Sequence, residues 1–551
     1  MSDTQTLRLV NATVPPGPWV GRTGPGRVTV DLRGGRISAV TLAGERPDGP
    51  APDRVIDLAG AHLLPGFVDS HTHLGWAAED QWTVNWAGVT TRAAALARVR
   101  TVAARVDPGL WVTGGGWLPG TPAPQELPDR TELDRVSGDH PLLLVSRDRS
   151  TALLNSRALA LCRIDRHSAD PPGGRIERDE HGDPTGRLTG EAVWGRLALG
   201  VVPPPNRHRR LAELRALLRD MAARGITEVH DIATVPREDG PAEIHEERSF
   251  TDVRLLAALA DRGELTARVS YRPSLRRVEE PADLTVGDGG GLIGFAGYKL
   301  SLDNGWFSQP PGQPRIDSFR YPGLEQAVKL AAMADTAGAP TSIHAMGDLG
   351  VAEALDLYGC LPGRLGTARP PHRLIHARRM SPADIARCAG LGVVVEAQPW
   401  EVIGAGPKNA RRGDEAFGAM LSPFRSLLDA GVTVSFGSDR RIGMRTDLLD
   451  ADPLTGVQIA VTRQDPTEDA DSPVWQPEQR ITVTEALACA TVAGVRAAGA
   501  AYRRGRIEPG HDADLTVLGG DPRRIAPGDI STLPVLLTVS AGRIVHEEVG
   551  A

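Results

Sequence analysis

The sequence Leu64-Pro-Gly-Phe-Val-Asp-Ser-His-Thr-His73 predicts a short buried strand over residues 66–70 that ends in two histidines. Alternate residues of a strand point to the same side, so His71 and His73 can direct two imidazoles at one point. A His-x-His pair at the carboxyl end of a strand is a good bidentate site for a transition metal. This stretch is therefore a candidate metal site.

The composition is that of a folded, soluble protein with one large catalytic domain and a smaller one. Of the 551 residues, 41% are hydrophobic and 24% are charged, and the net charge is −7. This balance provides no basic surface for nucleic acid or for a membrane. The four cysteines are far apart in the sequence, the N-terminus lacks a signal-peptide pattern, and no apolar run is long enough to cross a bilayer. We therefore expect a cytoplasmic protein.

Both ends of the chain are rich in strand and turn patterns. Alternating apolar residues before residue 63, with a hairpin turn at Gly34-Gly35, predict strands, and similar patterns recur after residue 504. Chain termini often lie close together at the surface of a domain. We therefore predict a small β-sandwich domain that is built from residues 1–63 and 504–551.

The middle of the chain, residues 64–503, alternates strand and helix patterns. Helical patterns cover residues 324–337 and 382–389, for example, and eight apolar strands begin near residues 66, 226, 267, 292, 340, 372, 392 and 431. Eight such units, with strands buried on both faces, predict an α/β fold of the (β/α)8 TIM-barrel type. Residues 75–200 are far too many for one strand–helix crossover, so we expect a large insertion after strand one.

Polar side chains recur at the carboxyl ends of the predicted strands, which is the face where active sites of this fold lie. The set comprises His71, His73, Lys299, His344, His376 and Asp439. Four imidazoles and a carboxylate suit zinc, with manganese, iron or nickel as alternatives. A free lysine would repel a cation, but if Lys299 is carboxylated on its amine, it becomes an anion that can bridge two divalent ions. The sequence leaves that carboxylation open.

Two bridged ions would make hydroxide available at neutral pH, because coordination lowers the pKa of water. Asp439 could hold that hydroxide, accept its proton and pass the proton to a leaving group. The residues therefore predict a metal-activated hydroxide as the nucleophile and Asp439 as both a metal ligand and the catalytic proton shuttle.

The ligand set resembles that of the amidohydrolase superfamily. Further stretches are similar to its amidohydrolase-3 branch, which includes YtcJ-like and N-substituted formamide deformylase-like proteins. They are residues 64–73, 225–231, 344–348, 437–439 and 505–515. The resemblance covers nearly the whole chain. It implies a metal-dependent hydrolase of C–N bonds, usually amides, with a bridging carboxylated lysine where that lysine is present.

The sequence departs from this branch at three places outside the metal set. Arg149 and Ser150 stand where the branch usually has a Gly-His pair, and Asp303-Asn-Gly305 replaces Asp-Gly-Ser. After the final aspartate, Arg440-Arg-Ile-Gly-Met-Arg445 replaces a proline-containing stretch. These changes concern the expected substrate positions and leave the metal chemistry intact.

The departures and two further residues give five candidates for contact with the substrate: His230, Trp117, Asp303, Arg440 and Arg441. Arginine forks suit carboxylates and phosphates, so we hypothesise a substrate with an acidic group; the alternative is that the arginines pair with aspartates on the surface. For His230 the alternative is a hydrogen bond to Asp231, and for Trp117 it is packing within the insertion.

These observations favour hydrolysis of an amide-type, non-peptide C–N bond, including cyclic or N-formyl amides. Two alternatives use the same site, namely a mononuclear deaminase and a biosynthetic cyclase. An alternative from another class is a non-catalytic protein that binds a small molecule on a retired barrel. The expected partner is a small-molecule substrate, and a homodimer, which is common for the fold, stays open.

Overall fold

The structure of this protein is a computed structural model, and most of the chain can be described. The described residues are 6–22, 24–45, 51–80, 83–86, 88–117, 127–146, 150–171, 174–190, 194–203, 207–234, 251–275, 291–302, 324–361, 370–403, 421–439, 452–467 and 472–548.

Strands from both ends of the chain form one eight-stranded sheet. In spatial order its strands are Arg543–Glu547, Val535–Ser540, Leu515–Leu518, His62–Pro65, Leu7–Val14, Gly26–Arg33 and Arg36–Leu42, and Arg54–Asp57 also pairs with Leu7–Val14. The predicted hairpin is confirmed, because Gly34 and Gly35 have φ of 55° and 75°, as a tight two-residue turn requires. The β-sandwich and its domain boundaries stay predictions.

A six-stranded sheet lies in the region of the predicted insertion. In spatial order its strands are Arg175–Arg178, Pro184–Thr189, Thr151–Leu154, Leu142–Val145, Val112–Gly115 and Val84–Asn85. Gly114 and Gly115 lie within a central strand where a Cβ atom would stand 2.1 Å from Val84 O and 2.0 Å from Val145 O, respectively. Only glycine therefore fits there, and these residues bring the neighbouring strands close together.

Eight parallel strands, labelled β1 to β8 here, carry the predicted site residues. They are β1 (Phe67–Thr72), β2 (Ile226–Asp231), β3 (Arg268–Tyr271), β4 (Tyr298–Ser301), β5 (Thr341–Ala345), β6 (Arg373–His376), β7 (Val394–Ala397) and β8 (Val434–Phe436). Strands β1 to β3 form one sheet with the short strand Ile293–Phe295, and β4 to β8 form another in sequence order. The fold is thus mixed α/β, and the pairing of the described strands gives two sheets rather than one closed barrel.

The two parallel sheets contact each other on both sides. A bridge joins Ser274, just after β3, to Lys299 of β4. On the other side, Asp439 N donates to His71 O at 2.7 Å, and Ser70 Oγ donates to Phe436 O at 2.8 Å. These bonds bring the end of β8 beside the end of β1, where the predicted metal ligands lie.

Helices accompany the strands, and several begin at side chains that accept a backbone N–H. Ser381 Oγ accepts from Asp384 N at the start of one helix, and Thr482 Oγ1 accepts from Glu485 N at the start of another. The α-helices are Leu74–Asp80, Arg92–Ala103, Arg130–Ser137, Ser156–Leu161, Arg207–Ala223, Val253–Asp261, Leu324–Thr336, Asp348–Gly359, Pro382–Leu391, Phe424–Asp429, Pro453–Thr462, Val483–Cys489 and Val492–Ala497. Short turns of other helix types are Gly195–Leu199, Pro477–Gln479 and Pro527–Thr532. Within the described ranges, no helix has the length and apolar character that crossing a membrane requires.

Candidate metal centre

The end of β1 and the segment after β8 bring two histidines to one carboxylate. Asp439 Oδ1 lies 3.4 Å from His71 Nε2 and 3.3 Å from His73 Nε2, and all three side chains are buried. Trp76, in the helix that follows β1, packs against His73 with ring centroids 4.6 Å apart. The predicted His-x-His pair thus meets the predicted aspartate.

Two further histidines come from β5 and β6. His376 Nε2 lies 3.0 Å from His344 Nδ1, and the rings of His376 and His71 are 5.6 Å apart between centroids. Gln398 Oε1, 2.7 Å from His376 Nδ1, can accept a hydrogen bond from a protonated Nδ1, and Nε2 of that tautomer carries a lone pair. One ligand atom from each of His71, His376 and Asp439 lies within 4.8 Å of the other two.

The donor atoms of this cluster fit a divalent cation. His71 Nε2 is buried and makes no hydrogen bond among the described residues. A buried polar atom without a partner is costly, and a metal ion would satisfy it. Imidazole nitrogens together with one carboxylate form a donor set that zinc and related ions accept. The cluster therefore fits a metal ion on its chemistry as well as on its geometry.

The backbone is strained at two of the candidate ligands. His376 has φ of 69° and Asp439 has φ of 46°, although neither residue is glycine. Such conformations cost about 1–3 kcal/mol each and persist only where the surroundings enforce them. They occur preferentially at functional sites, so the strain supports a functional role for both residues.

Asp69 and Ser438 connect β1 to the segment that carries Asp439. Asp69 Oδ1 accepts from Ser438 N at 2.8 Å, and Oδ2 accepts from Ser438 Oγ at 2.7 Å. Burial raises the pKa of Asp69, although the bonds from Ser438 oppose this shift. Both residues lie inside the motifs quoted above, but no pattern within either motif predicts their contact.

Lys299 is buried on β4 between the segment after β3 and strand β5. Its backbone N donates to Pro273 O at 2.9 Å, and the residue pairs with Ser342 in the parallel ladder. A buried lysine is uncommon unless another group compensates its charge. Its predicted role as a carboxylated ligand stays a prediction.

His230 lies in the interior among charged side chains. Its Nδ1 is 3.0 Å from Arg373 Nη1, and its Nε2 is 3.3 Å from Glu228 Oε1. Burial lowers the pKa of His230 to about 4, although Glu228 opposes the shift. With both ring nitrogens engaged by charged groups, a structural role fits His230 better than the predicted contact with substrate.

Of the other predicted substrate residues, only Trp117 lies within the described part of the chain, and it does not join the cluster. Trp117 is buried in the core of the six-stranded sheet, 5.4 Å from Trp86 between ring centroids, as its packing alternative suggests. Asp303, Arg440 and Arg441 lie outside the described residues. The contact of these arginines with an acidic substrate stays a prediction.

Sequence reasoning missed a group of charged residues that lie next to His71. Glu396 on β7 is fully buried, with Arg272 after β3 and Arg373 on β6 beside it. Burial alone would raise the pKa of Glu396, but the two guanidinium groups outweigh it and hold that pKa well below its usual range. A signal was available in the sequence, because Glu396 interrupts an apolar strand and Arg373 begins a buried one, and an unpaired charge there would be very unfavourable.

The comparisons with known proteins agree with this architecture. The model of the amidohydrolase family matches residues 54–546, and the chain therefore belongs to that family, as the sequence motifs indicated.

Two related proteins are similar to this chain over nearly their whole length. N-substituted formamide deformylase from Arthrobacter pascens is 30% identical, with 100% of each chain covered. Putative amidohydrolase YtcJ from Bacillus subtilis is 28% identical, with 90% of each chain covered. The crystal structure of an uncharacterized metal-dependent hydrolase from Pyrococcus horikoshii has a TM-score of 0.71 at 19% identity, covering 95% of this chain and 99% of that one. The last likeness shows the fold alone.

Proposed function

We propose that this chain is a metal-dependent hydrolase that cleaves an amide-type C–N bond other than a peptide bond. The observation that carries the proposal is the buried cluster of His71, His376 and Asp439, with His73 in contact with the same carboxylate. The similarity to N-substituted formamide deformylase over the full length supports N-formyl amides as the first substrates to test.

We propose further that the two parallel sheets form a single (β/α)8 barrel. Support comes from the order of β1 to β8, from the bridge between Ser274 and Lys299, and from the bond between Asp439 N and His71 O. Residues 64–503 would form this barrel with an insertion at about 75–200. Residues 1–63 and 504–551 would form the smaller domain.

The residues that would hold metal are His71, His73, Lys299, His344, His376 and Asp439. We propose two divalent ions, zinc before manganese, iron or nickel, with Lys299 carboxylated on its amine. When bound, such ions polarise a carbonyl group and lower the pKa of water. The burial of Lys299 supports carboxylation, because the modified side chain would be compensated by cations, whereas a free ammonium would be repelled by them.

Asp439 is positioned to move the proton. Its carboxylate lies between His71 and His73, where it can accept a proton from the attacking water. The water oxygen forms a bond to the carbonyl carbon and the C–N bond breaks. Asp439 then delivers the proton to the departing nitrogen, so that the products are a carboxylic acid and an amine.

A mononuclear deaminase is the second candidate. The described cluster has one set of three mutually close ligands, His71, His376 and Asp439, which fits a single ion. In that case Lys299 would be an unmodified lysine.

Elemental analysis of protein purified without chelator would test these proposals, together with an activity panel of N-formyl, cyclic and linear amides. We expect about two divalent ions per chain, loss of activity with chelator, and recovery with zinc and bicarbonate. One ion with deaminase activity would favour the second candidate. No bound metal after incubation with zinc and bicarbonate would contradict both.

A further inference from the structure

We propose that Glu396 is a positioning residue for His71, which selects the imidazole tautomer that leaves Nε2 free to bind metal. The inference rests on the proposed metal site and extends it to a residue that does not itself bind the ion. It follows from the contacts on the two sides of the His71 ring and from the arginines that hold Glu396.

The two nitrogens of His71 face different carboxylates. Nε2 lies 3.4 Å from Asp439 Oδ1, on the side of the candidate ligands. Nδ1 lies 3.5 Å from Glu396 Oε2, on the side of the buried arginines. A histidine that binds metal through one nitrogen commonly donates the N–H of the other to a carboxylate, which fixes the ring and strengthens the ligand. Glu396 is placed to be that acceptor.

Glu396 is held in place by two guanidinium groups. Arg272 Nη1 donates to Oε1 at 2.9 Å and to Oε2 at 2.8 Å, and Arg373 Nη1 donates to Oε1 at 2.7 Å. Arg272 is fixed in turn by bonds to Ser342 Oγ and Ser70 O. The carboxylate therefore has little freedom to move away from His71.

Arg272 also approaches the same nitrogen of His71, and this defines the competing tautomer. Arg272 Nη2 lies 3.5 Å from His71 Nδ1. Because an arginine can only donate, this contact requires a lone pair on Nδ1 and puts the proton on Nε2, facing Asp439. A metal ion at Nε2 excludes that proton. Glu396 favours the opposite arrangement, with the proton on Nδ1 and the lone pair directed at the metal.

Glu396 also sets the charge next to the site. Its carboxylate offsets part of the positive charge of Arg272 and Arg373 within the low-dielectric interior. Replacing it with a neutral amide would remove the carboxylate that both Arg272 and Arg373 bind beside His71. Replacing Glu396 should therefore weaken metal binding in two ways, through the tautomer of His71 and through the local charge.

The test compares the zinc affinities of two glutamate-to-glutamine variants with that of the wild type, measured by competition with a chromophoric chelator. Glu396→Gln removes the negative charge and leaves a single amide oxygen as acceptor, for which Arg272 and Arg373 compete with His71. Glu228→Gln is the matched control, because Glu228 is also buried and bonds to His230 and Arg504 without contacting His71. We expect Glu396→Gln to weaken zinc binding about 10- to 100-fold and to change the visible spectrum of the cobalt-substituted protein, with Glu228→Gln within about twofold of the wild type.

The outcomes separate this inference from the proposed function. If the wild type binds zinc and Glu396→Gln binds it equally well, the inference is overturned while the metal site stands. If the wild type binds no metal, both are overturned. Should Glu396→Gln fail to fold, nitrogen NMR of the zinc-loaded wild type, with His71 assigned from a His71→Gln variant, decides the matter. A protonated Nδ1 supports the inference, and an unprotonated Nδ1 contradicts it.

Discussion

Asp439 adopts a backbone conformation that few side chains tolerate. Its φ of 46° lies in the left-handed region, and its N–H donates to His71 O at 2.7 Å, so the strain and the contact with β1 occur at the same residue. Aspartate and asparagine accept this region more readily than most residues. Asparagine can therefore replace Asp439 without a backbone change.

This tolerance allows a test of Asp439, which we propose as both a metal ligand and the proton shuttle. Asp439→Asn should keep the fold but lower kcat/KM for an amide substrate by about 10²- to 10⁴-fold, because the amide cannot accept and deliver the proton. Steady-state kinetics would measure the loss, and thermal unfolding would confirm that the variant is folded. Activity close to that of the wild type would show that another group moves the proton.

Gly437 allows β8 to approach the metal ligands closely. A Cβ atom at this position would lie 2.5 Å from His71 N and 2.8 Å from His71 Cβ. Real Cβ atoms do not approach so closely, so a side chain here must displace His71 or its own strand.

Gly437→Ala should therefore lower both thermal stability and zinc affinity. The matched control is Gly390→Ala, within the helix Pro382–Leu391, where no other atom lies within 4 Å of the added methyl group. That control should be neutral or stabilising by up to about 1 kcal/mol, because alanine favours a helix over glycine. Calorimetry and a chelator competition would compare the two, and equal behaviour would contradict the close approach.

Among the elements, the positions of the strands could be predicted from the sequence better than the contacts that the strands make with distant residues. The apolar runs located all eight parallel strands, and the helical patterns at 324–337 and 382–389 match Leu324–Thr336 and Pro382–Leu391. The run near residue 292 is split at Gly297, where a Cβ atom would lie 2.2 Å from Pro340 O. That break depends on a contact with a distant residue, which a pattern within one segment does not contain.

The same reasoning explains which parts of the site could be predicted. The metal ligands follow from strand ends, because parallel strands bring their carboxyl ends to one face. His230 also ends a strand, but its partners Arg373 and Glu228 turn out to be charged side chains of the interior. Packing across the interior decides whether a residue at the end of a strand contacts a ligand or a buried charged side chain.

The sheet built from both chain ends is attached to the parallel strands by a buried ion pair. Arg268 on β3 donates to Asp514 Oδ2 at 2.7 Å, and Asp514 Oδ1 accepts from Ala541 N at 2.7 Å. Breaking a buried pair is destabilising, and without Asp514 the Arg268 guanidinium would keep only the more distant Asp512, at 3.4 Å.

Asp514→Ala should lower the free energy of unfolding by about 3 kcal/mol, as measured by urea denaturation. Glu325→Ala is the control, because Glu325 pairs with Lys329 on an exposed helix surface and its loss should leave stability nearly unchanged. If Asp514→Ala is no more harmful than Glu325→Ala, Arg268 does not depend on Asp514.

For the whole molecule, the buried charges predict a dependence of stability on pH. Burial lowers the pKa of His230 to about 4, below its value of about 6.5 in an unfolded chain. Between these values the unfolded state binds the proton and the native state does not. His230 therefore contributes stability above pH 6.5, and this contribution is lost as the pH falls towards 4. Asp231 has the opposite effect, because burial raises its pKa to about 7.

The two opposing effects can be separated with a variant. As the pH is lowered from 7 to 4, the unfolding free energy of the wild type should fall by on the order of 3 kcal/mol more than that of His230→Gln. Denaturant unfolding of both proteins across this range would give the difference, from which the contribution of Asp231 cancels. A difference that does not vary with pH would mean that His230 keeps an ordinary pKa in the native state.

The pairing of His62–Pro65 with Leu515–Leu518 has a consequence for how the chain is made. Arg54 and Glu547, which bond across the same sheet, are 493 residues apart in sequence. The ribosome releases the N-terminal strands long before the C-terminal strands have been made. The edge of His62–Pro65 that pairs with Leu515–Leu518 therefore stays unpaired during most of synthesis. Contacts of such high contact order form slowly, and exposed strand edges invite aggregation. The N-terminal strands are therefore exposed to aggregation until the C-terminal strands of the same sheet have been made.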